Sequence, residues 1–464
     1  MSASSPELNS HQTSSVTRKT NDILEGPIIP IMLKLALPTL AVLVIQTFVG
    51  IMETYFVSSL GADVLAGISV VFPVLMLMQM MANGGMGSGL ASAIARALGA
   101  GKQEEVQSLV WHGIVIAIAI GLLFAGALIL GGPFLYEAMG VSGPSLNAAL
   151  SYSNIVFITS PLIWAVAMLS ASLRGVGDTK TPALVTLVGA FILLPFSPAL
   201  IFGWGPIPSL GVKGAGIAIL IYYLLATVFL VKHMMSPKSI LSLSISSLKP
   251  QLFKDILGVG VLASIGTIQI NLTVAIVTAA VGRFGPDAVA GYGIASRLEY
   301  IQVPLLFALG TAIITMVGVN IGAGQMQRAQ RIAWTGALIA FIFTTFTGFI
   351  VAAFPHLWLT IFSEQQQVLA IGINYLQSIA PFYGFIAVGM TLYFAAIGMK
   401  QVLWPVLAGT VRMVIAAFIG WITVTYFDAD LSKLFSILVV SILIYCLITV
   451  TSMLFIGRSK RLRL

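Results

Sequence analysis

The stretch LALPTLAVLVIQTFVGIMETYFVSSL, residues 35–60, is long and apolar enough to cross a bilayer as one helix, yet it carries an acidic side chain, Glu53. A helix of about 20 apolar residues spans the hydrocarbon core, so the stretch reads as a membrane span. Gln46, Gly50 and Glu53 fall at i, i+4 and i+7 and make one narrow, small and polar stripe on its surface. An acidic group in mid-membrane costs about 2.5–3.5 kcal/mol on the insertion scale for the comparable Asp, so Glu53 is expected to face protein or a water-filled cavity.

Composition extends that reading to the whole chain. Of 464 residues only 8% are charged and 58% are apolar, and the mean hydropathy is +1.03. A soluble domain could not cover its surface with so little charge, so the class is an all-α polytopic membrane protein. The 45 glycines and 20 prolines fit, because membrane helices tolerate both. Cys446, the lone cysteine, rules out an intrachain disulfide. His11, His112, His233 and His356 are scattered without metal-ligand spacing, and no metal or cofactor is expected. Residues 1–25, rich in Ser, Thr and Asn with no apolar core, read as a disordered cytoplasmic tail and not a signal peptide.

Apolar segments then recur at 31–58, 63–90, 107–131, 147–173, 181–203, 212–233, 253–281, 287–317, 331–355, 368–397, 402–426 and 433–456, which makes twelve spans. With the N-terminus inside, the inner tails, loops and helix ends hold 18 Lys and Arg. The outer side holds Lys213, Arg283 and Lys433, and Arg297 and Arg412 remain within spans. This asymmetry puts both termini in the cytoplasm and the protein in the plasma membrane, the inner one in a Gram-negative cell. The net charge of +8 follows the same placement, so the tail GRSKRLRL reads as a lipid-facing stop and not a nucleic-acid arm.

The chain repeats itself. Gly61-Ala-Asp-Val-Leu-Ala-Gly67 returns as Gly285-Pro-Asp-Ala-Val-Ala-Gly291, and Leu98-Gly-Ala-Gly101 returns as Ile321-Gly-Ala-Gly324. Six spans separate the copies, an even number, so the halves insert with one orientation about an axis along the membrane normal and cargo binds between them. The expected organisation is an N-lobe at 26–233, an inter-lobe linker at 234–251, a C-lobe at 252–456 and a basic tail at 457–464.

These residues resemble the multidrug and toxic compound extrusion (MATE) transporters. The resemblance rests on LALP…Q…G…ET in span 1, LGAGK and IGAGQ after spans 2 and 8, LRGVGDTKTP at 173–182, ASRLEYIQVP at 295–304 and PFYGF at 381–385. It implies two six-helix lobes in a V that open alternately to either side, and export of organic, often cationic, compounds driven by H⁺ or Na⁺. Pro38 and Glu53 match the bending proline and the acidic residue of the family's first helix, where Asp is usual. Elsewhere the chain departs from the pattern: Leu193 and Ser197-Pro198 stand where many members have Asn and Asp-Pro, Ile270 stands near the glutamate of span 7, and span 10 has no acid. Sodium prefers several hard oxygens, so a proton-carrying carboxylate is the simpler reading.

Protonated, Glu53 can donate to Gln46, to a fifth-span hydroxyl such as Ser197 or to a backbone carbonyl; ionised, it attracts a cation, so proton and cargo exclude each other. The plainer alternative is a glutamate near the outer interface, satisfied by water. Arg297 and Glu299, at i and i+2, point to different faces. Glu299 reads either as a second proton or cation site or as a structural hydrogen bond, and Arg297 and Arg412 as structural. Gln46, Asn83, Gln269, Asn271 and Tyr300 are the candidate cavity contacts. The methionines of span 2, among them Met76 and Met80, offer an adaptable surface. The glycine-rich ANGGMGSGL at 82–90 lacks the Lys-Ser/Thr ending and the preceding strand of a phosphate loop and reads as close helix packing. The expected function is a monomeric secondary exporter of organic, cationic compounds by proton antiport, in contact with membrane lipid. A lipid-linked saccharide flippase is the alternative. An intramembrane enzyme is disfavoured, since no paired catalytic groups face each other.

Overall fold

The computed structural model describes residues 20–206, 208–236, 239 and 241–461, with the side chains of 300 and 457–461 excepted. Among them the chain is helical throughout the spans: α1 Ile28–Ser58, α2 Ala62–Gly99, α3 Gln103–Ala138, α5 Lys180–Phe202, α6 Val212–Met235, α7 Pro250–Gly282, α8 Pro286–Gly322, α9 Met326–Ala353, α10 Gln366–Gly398, α11 Leu403–Tyr426 and α12 Leu431–Ile456. The fourth span, α4, is the pair Gly143–Ile158 and Ser160–Gly175, bent by 46° at Thr159, and completes twelve. Pro161 follows the bend; without an N–H it cannot continue the preceding helix's hydrogen bonding. α1 runs unbroken through Pro38, whose missing N–H frees the carbonyl of Lys34.

Two bundles result. In the first, α3 packs on α4, α5 on α6 and the outer half of α2 on α4; in the second, α9, α10 and α12 pack in the equivalent way around α8. The repeat has a physical counterpart at the helix ends. α2 and α8 end at Gly101 and Gly324, at φ of 72° and 76°, and the next N–H reaches back five residues, from Lys102 to Ala97 O at 3.0 Å and from Gln325 to Asn320 O at 2.8 Å. α4 and α10 stop in the same fashion, at Gly177 and at Lys400. Lys400 holds φ of 59° with a side chain, a conformation that costs an L-residue roughly 1–2 kcal/mol.

The bundles meet at one end, the end carrying Arg96, Lys102, Arg328 and Lys400. There α2 lies against α7 and α8 with almost no side chain between. A Cβ on Gly89 would stand 2.7 Å from Gly260 N and 2.8 Å from Ile256 O, and one on Gly99 would collide with Val319 O. The glycine-rich stretch 82–90 therefore packs helices, its first part as a π-helical turn at Met81–Met86. Arg96 of the first lobe reaches Asp255 of the second at 2.9 Å, and Lys400 closes on the other carboxylate oxygen. Residues 20–25, expected as the end of a disordered tail, are instead helical. Ile23, 4% exposed, is wedged beside Gly177 of the first lobe while its carbonyl accepts from Asn320 and Arg328 of the second. A buried isoleucine offsets the ordering of a short polar segment.

The linker is anchored at this basic end too. His112 accepts the Lys249 N–H at Nε2 (2.8 Å) and approaches Ser108 O through Nδ1 (2.7 Å), which fixes a neutral ring protonated at Nδ1. Moving toward the far end, Gly84 still faces Phe307, and the outermost polar contact described between lobes is Asn271 Nδ2 to Met80 Sδ at 3.7 Å. Beyond it a Cβ on Gly50 or Gly293 would meet nothing within 4 Å, and the space between the outer halves of the lobes is the candidate cleft.

Candidate transport cleft

Glu53 sits less than two turns from the far end of α1, and its side chain is directed into the first lobe. Ser197 Oγ, on α5, donates to Glu53 Oε2 at 3.0 Å, while Oε1 is shielded from water and has no partner. Ser197 lies on α5 between Pro195 and Pro198 and is wholly buried. The buried phenol of Tyr152, on α4, lies within electrostatic reach of the carboxylate. No described Lys or Arg pairs with Glu53. A carboxylate so placed has one hydroxyl to balance it, and a proton on Oε1 is the remaining way to neutralise it.

The other anticipated positions divide. Gln46 is exposed on α1, two turns from Glu53 and not bonded to it among the described contacts. Asn271 is exposed at the cleft floor beside Met80. Asn83 is half-buried, donating to Gln79 O at 3.1 Å. Gln269 turns the other way: it is 8% exposed and gives its amide to Thr410 Oγ1 of α11 at 2.7 Å, inside the second lobe. Two residues along a helix is 200°, so Gln269 and Asn271 cannot both face the cleft. The side chain of Tyr300 lies outside the described residues.

Glu299 is half-buried in the second lobe, accepting a hydrogen bond from Tyr375 OH, with Arg412 within electrostatic reach. Arg412 itself lies 5.7 Å over the Tyr445 ring. Tyr292 and Phe435 pack edge-on against Tyr375 at 5.2 and 5.1 Å. Glu299 therefore has both a donor and a positive charge in reach, an arrangement open to either reading. Arg297 points away from this cluster and is exposed, its guanidinium 5.9 Å from the Phe362 ring centre. Among the described residues, no cluster of His, Cys, Asp and Glu could hold a metal ion.

Two features escape sequence reasoning. The Arg96–Asp255–Lys400 cluster joins residues from three separate helix ends, and no local signal links them. Thr186 of α5 and Tyr222 of α6 meet at ordinary helical spacing, indistinguishable from packing.

The fold matches solved transporters closely. A crystal structure of MATE in the bent conformation superposes with a TM-score of 0.87 over 95% of this chain and 98% of that one, at 20% identity. By sequence the chain is 28% identical to an FAD transporter of Shewanella oneidensis over 80% of this chain and 82% of the relative. It is 26% identical to a probable multidrug resistance protein NorM of Thermotoga maritima over 86% of each. The MatE family profile covers residues 38–199 and 263–422, most of both lobes. The chain is a multi-pass membrane transporter, not an enzyme, and it belongs to the MatE family.

Proposed function

We propose that the protein is a secondary active exporter of small organic compounds, driven by protons taken up at Glu53, with the cleft opening alternately to either side of the plasma membrane. The observation that carries the proton reading is the carboxyl of Glu53, held between α1 and α5 by Ser197 with its other oxygen unpartnered and dry. Ionised, it accepts from Ser197 alone. Protonated, it gains a donor and loses the charge that its surroundings leave unbalanced. Proton occupancy thereby sets how tightly α1 and α5 are joined, and α1 also meets α8 of the opposite lobe. The coupling runs through the lobe's packing.

The positive-inside pattern orients the basic end to the cytoplasm, so the lobes are closed there and the cleft is outward-facing. Relatives described as an FAD transporter and as a multidrug resistance protein support small organic cargo. A flippase for a lipid-linked saccharide gains no support from them.

The test is transport in proteoliposomes under imposed pH or sodium gradients. Glu53→Gln keeps the hydrogen bond to Ser197 and removes the titrating group; it is expected to insert normally and lose pH-driven export. Retention of pH-driven export at matched abundance would refute the role.

A further inference from the structure

We infer that Arg297 is the cargo-recognising charge of the cleft and that the cargo is an organic anion, a planar apolar body carrying a carboxylate or phosphate. The inference rests on the reading of the cleft as the transport route.

α8 is helical from Pro286 to Gly322, through Pro304, and its inner half shows which face meets the first lobe. Thr315 Oγ1 donates to Arg174 O at 2.9 Å, Gly318 lies against Ala95, and Gly322 against Arg96 O. Arg297 stands five turns outward from Thr315 on the same meridian, and nearly seven from Gly322, at 3.6 residues per turn. The face that is pressed against the first lobe at the basic end thus carries Arg297 about 27 Å further out, where the lobes have separated. Gly293, one turn beyond, has open space where its Cβ would be, and Arg297 itself is exposed. Its guanidinium reaches the level of the α9–α10 connection, 5.9 Å from the Phe362 ring centre, so the charge stands near the outer mouth, where its exposed face is wet.

The remaining span-buried charges leave Arg297 to set the sign of the walls. Glu53 is turned into the first lobe on Ser197, and Glu299, 200° away from Arg297 around α8, is bound by Tyr375 beside Arg412. Among the described residues Arg297 has no acidic partner within ion-pair distance. The cation expected as cargo would meet a positive wall. A carboxylate or phosphate instead matches the planar fork of a guanidinium and takes two parallel hydrogen bonds. Across the cleft, α2 exposes Met80, Met76 one turn out and Phe72 a turn beyond, an apolar and adaptable surface for a flat ring system.

The experiment uses the purified full chain in nanodiscs with two planar dyes of opposite charge, fluorescein and ethidium, and efflux of both from vesicles. Fluorescein is expected to bind the wild type, with affinity falling as salt rises. Arg297→Gln should weaken it about tenfold to a hundredfold, the range of a charged hydrogen-bond pair. Arg297→Lys should recover part, and Arg297→Glu should invert the preference toward ethidium, an effect loss of structure cannot produce. The assignment is overturned if the wild type prefers ethidium, or if Arg297→Glu leaves the ratio of the two affinities unchanged; either result leaves transport through the cleft standing. Cysteines replacing Met76 and Gly293 on the two walls test the route itself. Labelling of either wall from one membrane side only, under turnover, would remove the route and this inference with it.

Discussion

Asp255→Asn should shift the protein toward opening at its basic end. Asp255 is bracketed by Arg96 at 2.9 Å from the opposite lobe and by Lys400 from its own. The side chains of Arg96 and Asp255 are 13% and 21% exposed, between the surface regime, worth about 0.2–1 kcal/mol, and the buried one, where losing a partner costs about 3–5 kcal/mol. A cross-lobe contribution of about 1–2 kcal/mol follows, and its loss changes the ratio of closed to open forms about 5- to 30-fold. Spin labels on Lys102 and Gln325, at equivalent turns of the two lobes, would report the change as a longer inter-label distance. Lys400→Gly is the control. It removes an ion pair internal to the second lobe and relieves the positive φ of 59°, so the Arg96–Asp255 link stays and the distance distribution should hold. If the two variants shift the distribution equally, or neither does, the Arg96–Asp255 pair is not what holds the lobes together.

Gly89→Val should prevent closure without unfolding either lobe, because its Cβ would stand 2.7–2.9 Å from Gly260 and Ile256 backbone atoms; near-normal export by this variant would contradict the packing described. Ile23→Asp should release the N-terminal helix from its seat beside Gly177, Asn320 and Arg328, seen as fast amide exchange across residues 20–25, whereas Ile23→Leu should not. Ser197→Ala leaves both Glu53 oxygens without a described donor, so export should weaken and its pH dependence move, while Ser197→Thr retains it.

Much of the fold is legible in the residues because bilayer length and positive charge leave few choices. The paired motifs LGAGK and IGAGQ do fold into paired turns at Gly101 and Gly324. Facing is where sequence runs out. α7 and α8 are apolar around their whole circumference, so nothing in the pattern tells which of Gln269 and Asn271, or of Arg297 and Glu299, turns inward. The partner on the next helix decides, Thr410 for Gln269 and Tyr375 for Glu299. Ser197 was reachable as a hydroxyl on the fifth span opposite Glu53. The segment 20–25 was not, because its one long buried side chain, Ile23, makes no periodic pattern in six residues.

The charge of the cargo changes what drives export. A monovalent cation leaving as one proton enters moves no net charge, so only the pH gradient would contribute. A monovalent anion leaving past Arg297 as one proton reaches Glu53 and enters moves two positive charges inward. A potential of 100 mV, inside negative, then supplies about 4.6 kcal/mol, or about three powers of ten in cargo concentration ratio. Vesicles clamped with potassium and valinomycin at equal pH on both sides separate the cases. Inside-negative potential should drive fluorescein out of right-side-out vesicles, reversing the potential should stop it, and Glu53→Gln should abolish the response. An export rate indifferent to potential would mean that cargo and proton charges cancel, and Arg297 could not then be holding an anion.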